Sequence, residues 1–296
     1  MNQTKIAGTG VALVTPFNPD LSIDFNALDK IINHIIAGGA DFIVVLGTTG
    51  ESALLTLEER REIIAFVKEK TAGRIPLVLG YGGICTSMMA SGFNSYDLSG
   101  IDALLVVTPY YVKPSQKGLI EHYKTLADAS PLPIIMYNVP GRTGINMEPD
   151  TTLTLSEHPN IIGIKEASGR LFQIEEILMR KSKDFYLYSG DDALTYHLMN
   201  VGAEGVISVM ANAFPAQTAR IVDRAPDGGT TVQSKEWHTD LKVITKAVFA
   251  DGNPSGIIYL MSAMGFCKNI LRLPLVPVSD TTAKTIDSEL RRITGD

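Results

Sequence analysis

Cysteine is nearly absent from this 296-residue chain. Cys85 and Cys267 are far apart and show no CxxC spacing, so the expectation is two buried, reduced thiols with neither a disulfide nor a metal role. The five histidines, His34, His122, His158, His197 and His238, are scattered without ligand spacing, which argues against a catalytic metal. No apolar run approaches the length of a membrane span, and Met1-Asn2-Gln3-Thr4-Lys5 carries no apolar leader core. A basic surface is missing too: 26 Lys and Arg face 32 Asp and Glu, a formal charge of -6. That balance excludes nucleic acid and anionic membrane as natural partners. No G-x-G-x-x-G follows the first apolar run, which removes the usual dinucleotide cradle. These absences leave a cytoplasmic protein expected to act on small molecules. If those molecules are acids, a few local cations and backbone N–H groups must attract them.

What is present is a rhythm. Apolar runs recur at Val11–Phe17, Phe42–Leu46, Ile75–Leu79, Ile101–Val107, Leu132–Met136, Asn160–Ile164, Phe185–Tyr188 and Gly205–Val209. They are rich in consecutive Ile, Val and Leu, as strands covered on both faces are. Amphipathic stretches separate them, such as Leu57–Val67, where Thr56 as N-cap and Glu59 predict a capping box. Repeated βα units of this kind close most economically into a (β/α)8 barrel; a doubly wound open sheet is the alternative. After Pro215 the rhythm stops. Helical patterns then run through Trp237–Phe249, Ile257–Phe266 and Thr282–Ile293. We expect a catalytic barrel over 1–225 and a helical extension over 226–296, divided at the loop Ala225-Pro226-Asp227-Gly228-Gly229.

In a barrel the active site gathers at the C-terminal ends of the strands, and here the chemistry-bearing residues fall there. The run Ile161-Ile162-Gly163-Ile164-Lys165-Glu166 ends an apolar strand in an amine. A desolvated ammonium without a partner costs several kcal/mol or loses its proton, and a lysine amine so placed attacks carbonyls to form a Schiff base. The bland alternative pairs Lys165 with an acid, Glu166 being the nearest. The second strand ends in Gly47-Thr48-Thr49-Gly50. Its hydroxyls and approachable N–H groups suit a small carboxylate, although the same sequence is also a plain tight turn. Tyr137 ends the fifth strand and can donate and recover a proton, or simply pack. Arg142, in Pro140-Gly141-Arg142-Thr143-Gly144, suits bidentate capture of a carboxylate unless it is a solvated surface charge. With alternate residues inward, Thr48, Tyr137 and Lys165 can face one cavity. Asp191-Asp192 replaces the glycine-rich anion loop that many barrels place after the seventh strand. This speaks against pyridoxal phosphate and sugar phosphates. Asp192 is expected to be structural, capping the helix that follows.

These segments together resemble the dihydrodipicolinate synthase family of the pyruvate-dependent class I aldolase/lyase superfamily. The resemblance runs over essentially the whole chain. It rests on Gly47-Thr48-Thr49-Gly50-Glu51, Thr108-Pro109-Tyr110-Tyr111, Tyr137–Gly144, Gly163-Ile164-Lys165-Glu166-Ala167, Ser189-Gly190-Asp191-Asp192, Gly205-Val206-Ile207-Ser208 and Leu271-Arg272-Leu273-Pro274. It implies condensation of pyruvate with L-aspartate 4-semialdehyde to 4-hydroxy-tetrahydrodipicolinate, in lysine and diaminopimelate biosynthesis, with no cofactor. It further implies that Lys165 forms the pyruvate imine, with Tyr137, Thr48 and Tyr111 as proton relay. Thr49 would hold the pyruvate carboxylate and Arg142 that of the semialdehyde, while Gly190 and Ile207 line the pocket, Ile207 through its carbonyl. Tyr111 would reach in from a neighbouring subunit of a homotetramer built from two tight dimers. Arg142 separates this reading from a sister aldolase, of N-acetylneuraminate-lyase or keto-deoxy-sugar-acid type. A non-catalytic metabolite-binding barrel is the third possibility. One stretch departs from the family pattern. Ile84 and Met88 stand where synthases inhibited by lysine carry Asn and Glu, Tyr81 replaces a small residue, and Met88-Met89 and Gly92 are unusual within an expected helix. An apolar pair cannot satisfy an ammonium and a carboxylate, so feedback inhibition by lysine is expected to be weak or absent.

Overall fold

The computed structural model describes residues 6–225 and 228–295. Eight parallel strands close into a barrel in sequence order, β1 (Gly8–Ala12), β2 (Phe42–Val45), β3 (Leu77–Tyr81), β4 (Ala103–Val107), β5 (Ile134–Asn138), β6 (Ile161–Glu166), β7 (Tyr186–Ser189) and β8 (Gly205–Ser208), with β8 pairing back onto β1. Helices connect them, as expected of a (β/α)8 barrel. The uniform apolar runs hide an alternation. In β4, Leu104 and Val106 join the large hydrophobic cluster under the helices, while Ala103 and Leu105 join a second cluster with Phe42, Ile135, Tyr137 and Tyr188. That second cluster fills the barrel interior.

Seven strands fall within a few residues of the sequence reading, but the first does not. It was expected over Val11–Phe17 and instead occupies Gly8–Ala12; Phe17 keeps only an isolated bridge to Ile23. The glycines that argue against a strand there are what close the barrel. A Cβ on Gly10 would lie 2.2 Å from the Phe42 ring, and one on Gly205 would lie 2.1 Å from the Gly8 carbonyl oxygen. Leaving β1, the chain is still held, by Leu13 N–H to Val44 O at 3.0 Å and Val14 N–H to Asn212 Oδ1 at 3.1 Å.

The helix over Leu57–Thr71 starts with the expected capping box: Glu59 N–H donates to Thr56 Oγ1 at 3.2 Å and Thr56 N–H to Glu59 Oε2 at 2.8 Å. The C-terminal helices span Val232–Ala250, Ser255–Ala263 and Asp280–Thr294. Their buried residues, among them Leu241, Ile244, Val248, Ile257 and Ile286, extend the outer hydrophobic cluster. The expected division of the chain falls at Pro226, which lies outside the described residues.

This extension also grips the barrel mouth electrostatically. Arg272 pairs with Glu59, lies 4.5 Å from the centroid of the Phe17 ring, and offers its N–H to Glu51 Oε2 at 3.2 Å. Glu51 itself is buried, with φ +54 and Oε1 unpartnered among the described residues. Two carboxyls around one guanidinium are thereby driven apart. The Arg272 contact holds Glu59 down at about 2, whereas burial outweighs the Arg272 N–H and pushes Glu51 up to about 7. Because the folded value for Glu51 lies above the ordinary 4.5, the stability it permits is complete at acid pH. That stability is lost as pH rises from there towards neutrality. We therefore expect Glu51→Gln to flatten the fall in stability between about pH 5 and about pH 8, read as the wild-type-minus-variant difference in denaturant midpoint. A difference that does not change over that range would show that Glu51 ionises freely in the folded protein.

Candidate active site

Strand register brings the two central side chains together. Tyr137 and Lys165 are direct partners in the β5–β6 ladder, so they point to the same face. That face is the barrel interior, where Tyr137 belongs to the inner cluster. Lys165 is 6% exposed, and its Nζ lies 4.4 Å from the centroid of the Tyr137 ring. No ion pair to Lys165 occurs among the described residues. An amine held against a π face without a carboxylate is free to meet a carbonyl. Gly190 makes room for it: a Cβ there would lie 3.1 Å from Lys165 Cε and 2.7 Å from Ala167 Cβ. Ile207, on β8, is 1% exposed and lies in the same inner cluster.

The pairing of Lys165 with Glu166 is not realised. Alternation turns Glu166 to the opposite face of β6, where Asn138 Nδ2 donates to it at 3.0 Å, Ser168 N–H at 2.7 Å and Gln173 Nε2 at 3.2 Å. Burial pushes the Glu166 carboxyl up, and these donors pull it back. Asn138 also accepts from Met147 N–H at 3.0 Å, and Gln173 Oε1 accepts from Asn146 Nδ2 at 2.9 Å. A buried polar network therefore ties the segment carrying Arg142 to the back of the strand carrying Lys165. Nothing in the residue types announced it, because Asn138 and Glu166 read only as strand ends.

The other candidates stand around the mouth. Thr49 is buried, and its Oγ1 accepts from Asn253 Nδ2 at 3.0 Å. Strand alternation does not carry to Thr48. β2 ends at Val45, Leu46 has φ +58, and Thr48–Gly50 form a single 3-10 turn in which Thr48 is exposed. No hydrogen bond joins Thr48 to Tyr137 among the described residues. Arg142 is exposed in the short helix Pro140–Thr143, and its Nη2 donates to the Asn253 carbonyl at 3.0 Å. Tyr111 has φ +71 and is 88% exposed; its N–H donates to Thr143 O at 3.3 Å, pinning its loop to that of Arg142. Asn253 touches two of the predicted site residues yet gave no signal in the sequence, where Asn253-Pro254 reads as a turn between helices.

Two sequence expectations need correction, on Asp192 and on the cysteines. Asp192 does not cap its own following helix. Its carboxylate accepts from Ser208 Oγ, from Val209 N–H at 2.9 Å and from Met210 N–H at 3.3 Å, so it caps the turn after β8 instead. Cys85 is not buried: it is an exposed free thiol preceding the helix Thr86–Gly92, and Cys267 is half-buried. Gly92 lies at the end of that helix, as expected, and its missing Cβ makes room for Tyr81. The Tyr81 hydroxyl donates to Met89 O at 2.6 Å, and a Cβ on Gly92 would lie 2.6 Å from that hydroxyl oxygen. Burial pushes the Tyr81 phenol up to about 12. Tyr81 and Gly92 are thus two halves of one packing solution.

Comparison with known proteins bears on the fold and the family. The model of the Dihydrodipicolinate synthetase family matches residues 5–293. The 4-hydroxy-tetrahydrodipicolinate synthase of Parabacteroides distasonis is 45% identical over 294 residues, 99% of each chain. Among solved structures, the dihydrodipicolinate synthase of Aquifex aeolicus is 37% identical, with TM-score 0.92 and 98% of each chain covered. The chloride inhibited dihydrodipicolinate synthase of Acinetobacter baumannii complexed with pyruvate is 36% identical, with TM-score 0.93, covering 97% of this chain and 98% of its own. The chain belongs to the dihydrodipicolinate synthetase family.

Proposed function

We propose that this chain condenses pyruvate with L-aspartate 4-semialdehyde to 4-hydroxy-tetrahydrodipicolinate through an imine on Lys165. The observation that carries the reading is the Lys165 amine, buried on the inner barrel face beside Tyr137 with no carboxylate partner among the described residues. The relative's pyruvate complex supports the first substrate. The Lys165 amine adds to the pyruvate keto carbon, and water leaves as the imine forms. The protonated imine nitrogen then withdraws electrons, a methyl proton departs, and the resulting enamine carbon attacks the aldehyde. The semialdehyde's own amino group next adds to the imine carbon and displaces Lys165, releasing the cyclic product. Tyr137, next to the nitrogen, handles the protons, with Thr48 and Tyr111 as relay. Thr49 holds the pyruvate carboxylate, Arg142 holds that of the semialdehyde, and Gly190 and Ile207 line the pocket.

The reading extends to assembly, place and organisation. Tyr111 and Val112 are 88% and 55% exposed on the single chain, as side chains reaching into a neighbouring subunit would be. A homotetramer of two tight dimers is the assembly proposed. Cytoplasmic location is proposed with it; no helix among the described residues is long and apolar enough to cross a membrane. The division into a catalytic barrel over 1–225 and a helical extension over 226–296 is retained as part of the same proposal.

Borohydride reduction in the presence of pyruvate is expected to add one pyruvate-derived mass to Lys165 and none to Lys165→Ala. A wild-type protein that gains no mass would refute the covalent route. Arg142→Ala is expected to retain that adduct while raising the KM for the semialdehyde on the order of tenfold or more, the loss expected for a charge-assisted bidentate contact. An unchanged KM would favour a sister aldolase. Ile84 and Met88 are 47% and 73% exposed and offer no polar group to an amino acid. Added L-lysine is therefore expected to leave turnover unchanged, and clear inhibition would overturn that assignment.

A further inference from the structure

Asn253 lies in the turn between the helices Val232–Ala250 and Ser255–Ala263, and it meets Thr49, 204 residues earlier in the chain. Its position is imposed from outside the barrel. Gly252 takes φ +99, Asp251 accepts from Ser279 N–H at 2.7 Å at the start of the last helix, and Gly256 packs so tightly that a Cβ would lie 1.9 Å from Val248 O. The residue is 8% exposed. Its two halves do different things. Nδ2 donates to Thr49 Oγ1 at 3.0 Å, while Oδ1 is buried with no partner among the described residues. An unpaired buried carbonyl is costly, and such a group calls for an explanation in what the rest of the side chain does.

The explanation lies in the polarity of a hydroxyl. A threonine hydroxyl carries one hydrogen to donate and two acceptor sites. Asn253 fills an acceptor site on Thr49, and the Thr49 hydrogen has no acceptor among the described residues. It remains available for an anion. We propose that Asn253 is a positioning residue that turns the Thr49 hydroxyl into a dedicated donor to the pyruvate carboxylate. The proposal rests on the reading of Thr49 above. The side chain acts on this subsite alone, because Arg142 is held by the Asn253 main-chain carbonyl, which any substitution leaves in place.

That division sets the test. In Asn253→Ala the pyruvate KM, and the pyruvate concentration giving half-maximal borohydride adduct on Lys165, are expected to rise on the order of tenfold, the loss of one hydrogen bond to a charged group. The semialdehyde KM is expected to change less than about twofold. Asn253→Asp, nearly the same shape, takes up the Thr49 hydrogen and brings a negative charge near the substrate carboxylate, so its pyruvate KM is expected to exceed that of the alanine variant. Combined with Thr49→Val, Asn253→Ala should add little further, since both remove the same donor. Unchanged pyruvate affinity in both Asn253 variants overturns the proposal. So does a parallel rise in both KM values with a lowered melting temperature, which marks a merely structural role. If the wild type forms no adduct at all, the catalytic reading falls and takes this one with it; an adduct with unaltered half-saturation in the variants removes only this one.

Discussion

Parallel register between β5 and β6 places Tyr137 opposite Lys165, and every other feature of the site depends on that pairing. A one-residue slip of β6 would turn Lys165 away from Tyr137, burying it among the helices and bringing Glu166 to the interior. What holds the register is the barrel itself, in which each strand is covered on both faces. The inner face is filled by Phe42, Ile135 and Tyr188, and the outer face by residues such as Ile134 and Met136. Small residues are needed at the tightest approaches. Gly163 lies where a Cβ would sit 2.5 Å from Tyr186 O, and Gly190 is where the Lys165 stem passes.

The polar groups near the site are sorted by face. Glu166, adjacent to Lys165 in the chain, is kept on the outer side of β6 by alternation and satisfied there by Asn138, Ser168 and Gln173. Had it faced inward, the two charges would form a buried pair, and the amine would be engaged in it. Instead the carboxylate anchors the segment that carries Arg142, so one strand presents the Lys165 amine on one face and ties down the Arg142 loop through the other. Asp192 does comparable work after β8, where it holds the turn at Val209 and Met210.

The C-terminal extension is more than a cover. Arg272 reaches Glu59, Glu51 and the Phe17 ring, and Asn253 reaches Thr49 and Arg142. Both contact the turn after β2 or its flank, which places the mouth of the barrel under the control of residues from the far end of the chain. Glu51 sits in that turn with a strained backbone and a buried carboxyl. Local strain of that kind persists only where surrounding contacts over-determine it.

Much of this was legible in the chain itself. Consecutive β-branched and leucine runs separated by amphipathic stretches point to a parallel sheet covered on both faces, and eight such runs favour its closure into a barrel over an open sheet. A lysine ending such a strand is conspicuous for the same reason, and Thr56 with Glu59 declares a helix start through local geometry alone. The first strand was misread because Gly8 and Gly10 are poor strand formers in isolation; only the Phe42 ring and the facing backbone of β8 make them necessary. Glu166 as an anchor, the exposure of Thr48 after a left-handed Leu46, the matched pair Tyr81 and Gly92, and the reach of Asn253 and Arg272 were decided by tertiary structure. Each depends on which distant atoms arrive within hydrogen-bonding or van der Waals range, and periodicity along a chain carries no information about those distances.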